Sequence, residues 1–208
     1  MKILAHRGLW DNESEKNSLQ ALERAFDHGF GIETDIRDFQ GKIVISHNPA
    51  KDILPSFKDL VGIWNKYLKK PVMALNIKAD GLYLLDDIQD ETFWKNKNYF
   101  FFDSSVPEQY IYLKRGYPIF TRSSEFEQNP VFLEKSTGIW LDQFTDCNHI
   151  IDSLEKFLQM DKVVGIISPE LHGRNPQKVW EFLLNYKNEE RIMLCTDRPI
   201  EAKEFFDE

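Results

Sequence analysis

Eight short apolar runs, each followed by a segment of helical periodicity, predict one α/β domain, a compact (β/α)8 TIM barrel over residues 1–208. Two observations support this. Runs such as VVGII and FFF are apolar on both faces, as strands of a parallel sheet covered by helices should be. No Gly-, Pro- or Ser-rich linker and no low-complexity stretch divides the chain. A doubly wound open sheet competes, but no strand is followed by a GxGxxG turn or a P-loop, and eight units close a ring naturally.

The elements follow in order. Residues 2–5 form a strand that runs into His6 and Arg7. Residues 18–28 place Leu19, Leu22, Ala25 and Phe26 on one helical face, capped at Asn17 or Ser18 and stopped at Gly29. A strand at 31–36 is followed by a turn at Gln40-Gly41 and a short hairpin arm, 42–46, outside the eight. Next come helix 57–68, strand 71–78, helix 83–95, strand 99–103 and helix 107–114. Strand 118–122, a helical turn near 130–136, strand 138–142 and helix 149–159 continue the alternation. Strand 162–168, helix 176–186, strand 191–196 and a terminal helix from Ile200 complete it.

Hydrophobic residues make up 42% of the chain, enough for a substantial core, and the net charge of −8 argues against nucleic acid as the main partner. A small phosphate ligand needs only a local cluster of donors. Cys147 and Cys195 carry no metal-binding spacing and are expected to be reduced and buried. The apolar start, Met1 to Ala5, is too short for a signal peptide, and no run reaches the roughly 20 residues of a membrane span. A cytoplasmic protein is expected; its oligomeric state is left open.

In such a barrel, chemistry sits at the C-terminal ends of the strands. Polar residues fall there repeatedly: His6-Arg7, Glu33-Thr34-Asp35, His47, Asn76 with Lys78, Asp103, Arg122, Asp142, Ser168 with Glu170, and Thr196-Asp197. Alternation along a strand puts Glu33 and Asp35 on one face. Pointing inward, two such carboxylates repel unless a cation lies between them; pointing outward, they are a solvated pair. Parity alone leaves both arrangements open.

"AHRG", "KNSLQALERAFDHGFGIETDIRDFQGKIVISHNP", "LNIK" and "CTDRP" occur in that order between residues 5 and 199. This ordered set resembles the glycerophosphodiester phosphodiesterase family, whose barrels carry His-Arg-Gly on the first strand and E-x-D on the second. The resemblance implies metal-assisted cleavage of a small phosphodiester. His6 and His47 would be general acid and base, and Glu33, Asp35 and the residue at Asn76 would hold Mg²⁺ or Ca²⁺. Arg7 and Lys78 would meet the phosphate, and Gly8 would allow a sharp exit from the strand. Two positions depart from the pattern. The third metal-binding glutamate is replaced by Asn76, and Lys16 stands where a glutamate is usual, with Glu15 one residue away.

Asp103, Arg122, Trp140, Asp142 and Glu170 are candidates for the wall that reads the leaving group, beside the loops SPELHGR and TRSSEFE. Hydrolysis to a phosphomonoester and an alcohol is the expected reaction. The alternatives are a lyase that ends at a cyclic phosphate, or a weakened phosphodiester-binding protein, which Asn76 suggests. A sugar-phosphate isomerase or aldolase gives no reason for paired histidines around E-x-D.

Overall fold

The structure, a computed structural model, describes residues 1–84, 90–145 and 148–207. The eight expected strands are present: β1 (Lys2–His6), β2 (Gly31–Phe39), β4 (Met73–Ile77), β5 (Tyr99–Phe102), β6 (Phe120–Ser123), β7 (Gly138–Leu141), β8 (Val163–Ile167) and β9 (Ile192–Thr196). They pair in parallel in the order β5-β4-β2-β1-β9-β8-β7-β6. A single parallel bridge between Phe101 and Ile119, with Phe101 N–H donating to the Pro118 carbonyl at 2.9 Å, joins the two ends. The result is the (β/α)8 ring that the alternation predicts. The hairpin arm, β3 (Lys42–Ile45), runs antiparallel to β2 outside the ring.

In the first half of the chain, serine or aspartate begins the helices that cover the ring. Ser18 caps α1 (Leu19–Asp27), Ser56 caps α2 (Phe57–Trp64), Asp90 caps α3 (Glu91–Lys95) and Ser105 caps α4 (Val106–Lys114), each side chain accepting an otherwise unpaired N–H. In the second half the ring is covered by α5 (Asn148–Gln159), α6 (Gln177–Leu183) and α7 (Pro199–Asp207), and α6 begins behind Pro176 without a side-chain cap. Ala21, Leu22, Ala25 and Phe26 of α1 are all buried, as the spacing predicts.

Helix boundaries differ from expectation at four places, one being helix 176–186, which ends at Leu183 and passes into a 3-10 turn over Leu184–Tyr186. Helix 57–68 stops at Trp64, where Lys70 Nζ donates to the Trp64 and Asn65 carbonyls and closes the end. Residues 131–135 form successive turns, broken by the left-handed Phe132 (φ 58°) behind Pro130. Of helix 83–95, residues 91–95 are helical behind a 3-10 turn at Leu82–Leu84; its middle lies outside the described residues, as does Cys147.

Three apolar clusters result. Two lie between strands and helices, and the third lines the ring: Leu4, Ala74, Phe100, Phe102, Phe120, Trp140, Ile167, Met193 and Cys195. Side chains alternate, so the next inward positions above this layer are His6, Glu33, Asp35, Asn76, Arg122, Asp142 and Asp197. Ile32 and Ile36 pack toward the helices instead, which settles the parity question in favour of inward carboxylates. Cys195 is a free, buried thiol, pushed well above its ordinary pKa by burial. Among the described residues no helix is long and apolar enough to cross a membrane.

Candidate active site

The first strand delivers two nitrogen-bearing side chains because the chain reverses sharply after it. Arg7 is left-handed (φ 57°) and donates its N–H to the Glu33 carbonyl at 2.9 Å. Gly8 follows at φ 92°, where a Cβ would lie 2.6 Å from the backbone carbon of Ala21. Only glycine fits both the angle and the approach, as the expected sharp exit requires. His6 then points into the mouth, with 14% of its side chain exposed.

His6 Nδ1 lies 2.5 Å from Asp197 Oδ1, and its Nε2 is 3.8 Å from Glu33 Oε2. An ionised carboxylate only accepts, so this contact places the proton on Nδ1 and leaves Nε2 a free lone pair facing the mouth. Burial lowers the imidazole pKa, although the bond and charge of Asp197 oppose that. Burial alone would raise Asp197, but the His6 bond, its charge and Lys16 bring it below the usual carboxylate value. Lys16 Nζ reaches Asp197 Oδ2 at 3.5 Å and rests 4.3 Å from the centre of the Trp10 ring.

Asp35 is fully buried and is the hub of the first half of the mouth. Its Oδ2 pairs with Arg7 Nε at 2.9 Å and accepts from Asn17 Nδ2 at 2.9 Å; its Oδ1 pairs with Lys78 Nζ at 3.3 Å. Asn17 is left-handed (φ 63°), and its Oδ1 also accepts from the Thr34 hydroxyl at 2.8 Å, so it threads the loop after β1 onto β2. Glu33 beside it is held well above the ordinary carboxyl range, first by burial and then by the charge of Asp35.

Asn76 lies directly across from Asp35 in the sheet. Its Nδ2 donates to Asp103 Oδ2 at 3.2 Å. Asp103, left-handed at φ 61° and raised by burial, faces Arg122 Nη1 at 3.3 Å, and Arg122 Nε bonds Glu127. Asp142 Oδ1 accepts from His172 Nε2 at 2.8 Å. Asp103, Arg122 and Asp142 thus stand at the mouth as the strand ends suggest, and a cleft of about 690 Å³ opens beside Asp103 and Arg122, rimmed by the exposed Phe126.

Three candidates lie elsewhere. Trp140 shares the parity of Asp142 but is one layer deeper: its ring packs 4.0 Å from that of Phe102, and a Cβ on Gly165 would come within 2.6 Å of it. It is a core side chain, 3% exposed. Glu170 is consumed by Ser168 and Thr196 hydroxyls and the Asp197 N–H, so it braces the loop that carries Asp197. His47 is exposed; its ring bonds Asn48 Oδ1 at 3.0 Å, although the preceding Ser46 N–H is tied to the Asp35 carbonyl at 3.0 Å. Asn17 and Lys16 are the contributors absent from the residues singled out by strand position, and Asp197 stood at a strand end without an assigned role. All three lie within the quoted motifs.

The expected Mg²⁺ or Ca²⁺ can be tested against the donors present. Such ions take oxygen ligands whose carboxylates supply the charge. Among the described residues, no three His, Cys, Asp or Glu side chains are grouped to hold a metal ion. Of the expected set, Asp35 is already matched by Arg7 and Lys78, and Asn76 is an uncharged amide whose NH₂ faces Asp103. Glu33 Oε2, Asp35 Oδ1 and Asn76 Oδ1 are left without hydrogen-bond donors, but the two carboxylates among them stand beside two cations of the chain, Arg7 and Lys78. This donor set does not fit the divalent cation that the resemblance implies.

No family model and no curated protein matches the chain. Solved structures do. A glycerophosphodiester phosphodiesterase from Thermotoga maritima aligns at 17% identity with a TM-score of 0.63, covering 97% of this chain and 96% of its own. A glycerophosphoryl diester phosphodiesterase from Parabacteroides distasonis ATCC 8503 gives 13% and 0.64 over 99% and 86%. A protein from Silicibacter pomeroyi DSS-3 gives 11% and 0.69 over 100% and 93%. Alignments this complete show a common barrel.

Proposed function

We propose that the chain hydrolyses a glycerophosphodiester or a related small phosphodiester to a phosphomonoester and an alcohol. The observation that carries this reading is the His6–Asp197 pair standing beside Arg7 and Lys78 at the C-terminal mouth of the ring. The structural neighbours named as phosphodiesterases support it. Arg7 and Lys78 supply fixed positive charge to the non-bridging phosphate oxygens. His6 Nε2, with its lone pair directed inward, removes a proton from the attacking water as its oxygen bonds to phosphorus. Asp197 holds the ring and steadies the imidazolium that forms.

The P–O bond to the alcohol breaks as the new one forms, and the departing alkoxide takes a proton. His47 is the donor in this reading; to give it, the ring exchanges its Asn48 partner for the leaving oxygen. The position of that ring also supports a second reading, a phosphodiester-binding protein with weakened catalysis. Phosphorus NMR of glycerophosphodiesters incubated with the protein separates these readings. Glycerol phosphate appearing in the wild type but not in His6→Ala supports hydrolysis. A cyclic phosphate as the end product identifies the lyase, and unchanged substrate that nonetheless binds identifies the binding protein.

A further inference from the structure

Both places where the sequence departs from the family's pattern lose negative charge. At Asn76 a carboxylate has become an amide, and at Lys16 a carboxylate has become an ammonium, 3.5 Å from Asp197. Of the remaining acids at the mouth, Glu33 stands 3.8 Å from His6, and two others meet cations of the chain itself. Asp35, with no exposed surface, is gripped by Arg7 and Lys78, and Asp103 faces Arg122. Asn76 is turned so that the positive end of its amide faces Asp103. Each feature reduces the pull on an added divalent ion, and Arg7 and Lys78 hold permanent positive charge near the carboxylates that such an ion would need.

We propose that this site receives a phosphodiester on its own cations, without a divalent metal ion. Arg7 and Lys78, fixed in place by their common counter-ion Asp35, take the electrostatic part of the ion. This deepens the phosphodiesterase reading and rests on it for the reaction, but not for the binding. In the reaction the water proton passes to His6, the new P–O bond forms as the old one breaks, and the alkoxide is protonated; no further reactant enters. A guanidinium and an ammonium offer directed hydrogen bonds to two phosphate oxygens, which suits a singly charged diester.

The test uses chelator-treated full-length protein and three readouts. In calorimetric titration, neither MgCl₂ nor CaCl₂ shows saturable binding into the millimolar range, whereas Asn76→Glu gains a binding isotherm at least about tenfold tighter. Glycerol 3-phosphate binds equally with EDTA or with added Mg²⁺, and Lys78→Met weakens that binding by about tenfold or more in EDTA. Glycerophosphodiester turnover stays within about twofold when EDTA replaces Mg²⁺. Saturable one-to-one ion binding by the wild type, or glycerol 3-phosphate binding that requires the ion, overturns the proposal. Turnover that collapses in EDTA and returns with Mg²⁺ or Ca²⁺ does the same while leaving the phosphodiesterase reading intact. Absence of turnover in every condition removes that reading instead, and the two titrations still decide how the anion is held.

Discussion

The two sides of the barrel mouth use charge differently. On the β1–β2–β4 side, cations converge on one buried carboxylate, Asp35, and a single histidine is oriented by one partner, Asp197. On the β5–β8 side, charges are matched more locally: Arg122 with Asp103 and Glu127, His172 with Asp142, Glu170 with two hydroxyls. Convergence leaves nitrogen atoms held at fixed positions but facing a common space, which is what an arriving anion needs. Local matching leaves a wall whose members can be exchanged with less consequence. The first side is therefore expected to carry chemistry, the second selectivity.

The largest effect that would sharpen this contrast is at His6. His6→Ala should lower glycerophosphodiester turnover by about 10²–10⁴-fold, measured by phosphorus NMR, while the melting temperature holds. A comparable loss in His172→Ala would break the contrast. Asp35→Ala should act on stability, because Arg7 and Lys78 lose their buried partner; denaturant unfolding should register a cost of about 3–5 kcal/mol. If Asp35→Ala unfolds at the wild-type denaturant concentration, the hub is a bystander.

Asp197→Asn should lower kcat and leave KM near the wild-type value, since it acts through the imidazole. The acidic limb of its pH–rate profile should move to lower pH, because His6 acts as the base, burial depresses its pKa and Asp197 is the group that opposes this. Stability gives an independent check. Asp197 is depressed from 3.8 in the folded chain, so its contribution is fully present above 3.8 and is lost as pH falls through the folded value. The stability gap between wild type and Asp197→Asn should close over that acid window in thermal melts; a gap that is flat with pH would remove the ionised pair. The smallest effect is expected on the second side: Glu127→Gln breaks a half-exposed pair with Arg122 and should cost about 0–1 kcal/mol.

The ring itself was legible because its signals are local. Apolar runs, serine caps and turn residues lie within a few positions of the elements they define, and Glu33 with Asp35 declares a shared face by spacing alone. Which face was not legible, because it depends on what packs behind Ile32 and Ile36. Trp140 shows the limit of parity: two positions along a strand change depth by about 6–7 Å, the difference between the mouth and the floor. The His6–Asp197 bond joins residues 191 apart in sequence. The quoted motifs contain both, but their contact exists only once β9 pairs with β1. Glu170 was read as a candidate substrate reader because its hydroxyl partners, Ser168 nearby and Thr196 at the end of β9, leave no charge signature in the sequence. His47 keeps its place in the motif while its ring is exposed and bonded to the neighbouring Asn48, a local contact that spacing does not encode.

Around the ring, seven of the eight strand junctions carry registers of three to five paired residues, and the join of β5 to β6 carries one bridge. A hoop with one thin rivet parts at the rivet. Backbone amide exchange at Phe101 should outpace that of the neighbouring strands. A permuted chain with new ends between these two strands should keep its melting temperature better than one cut at any other seam.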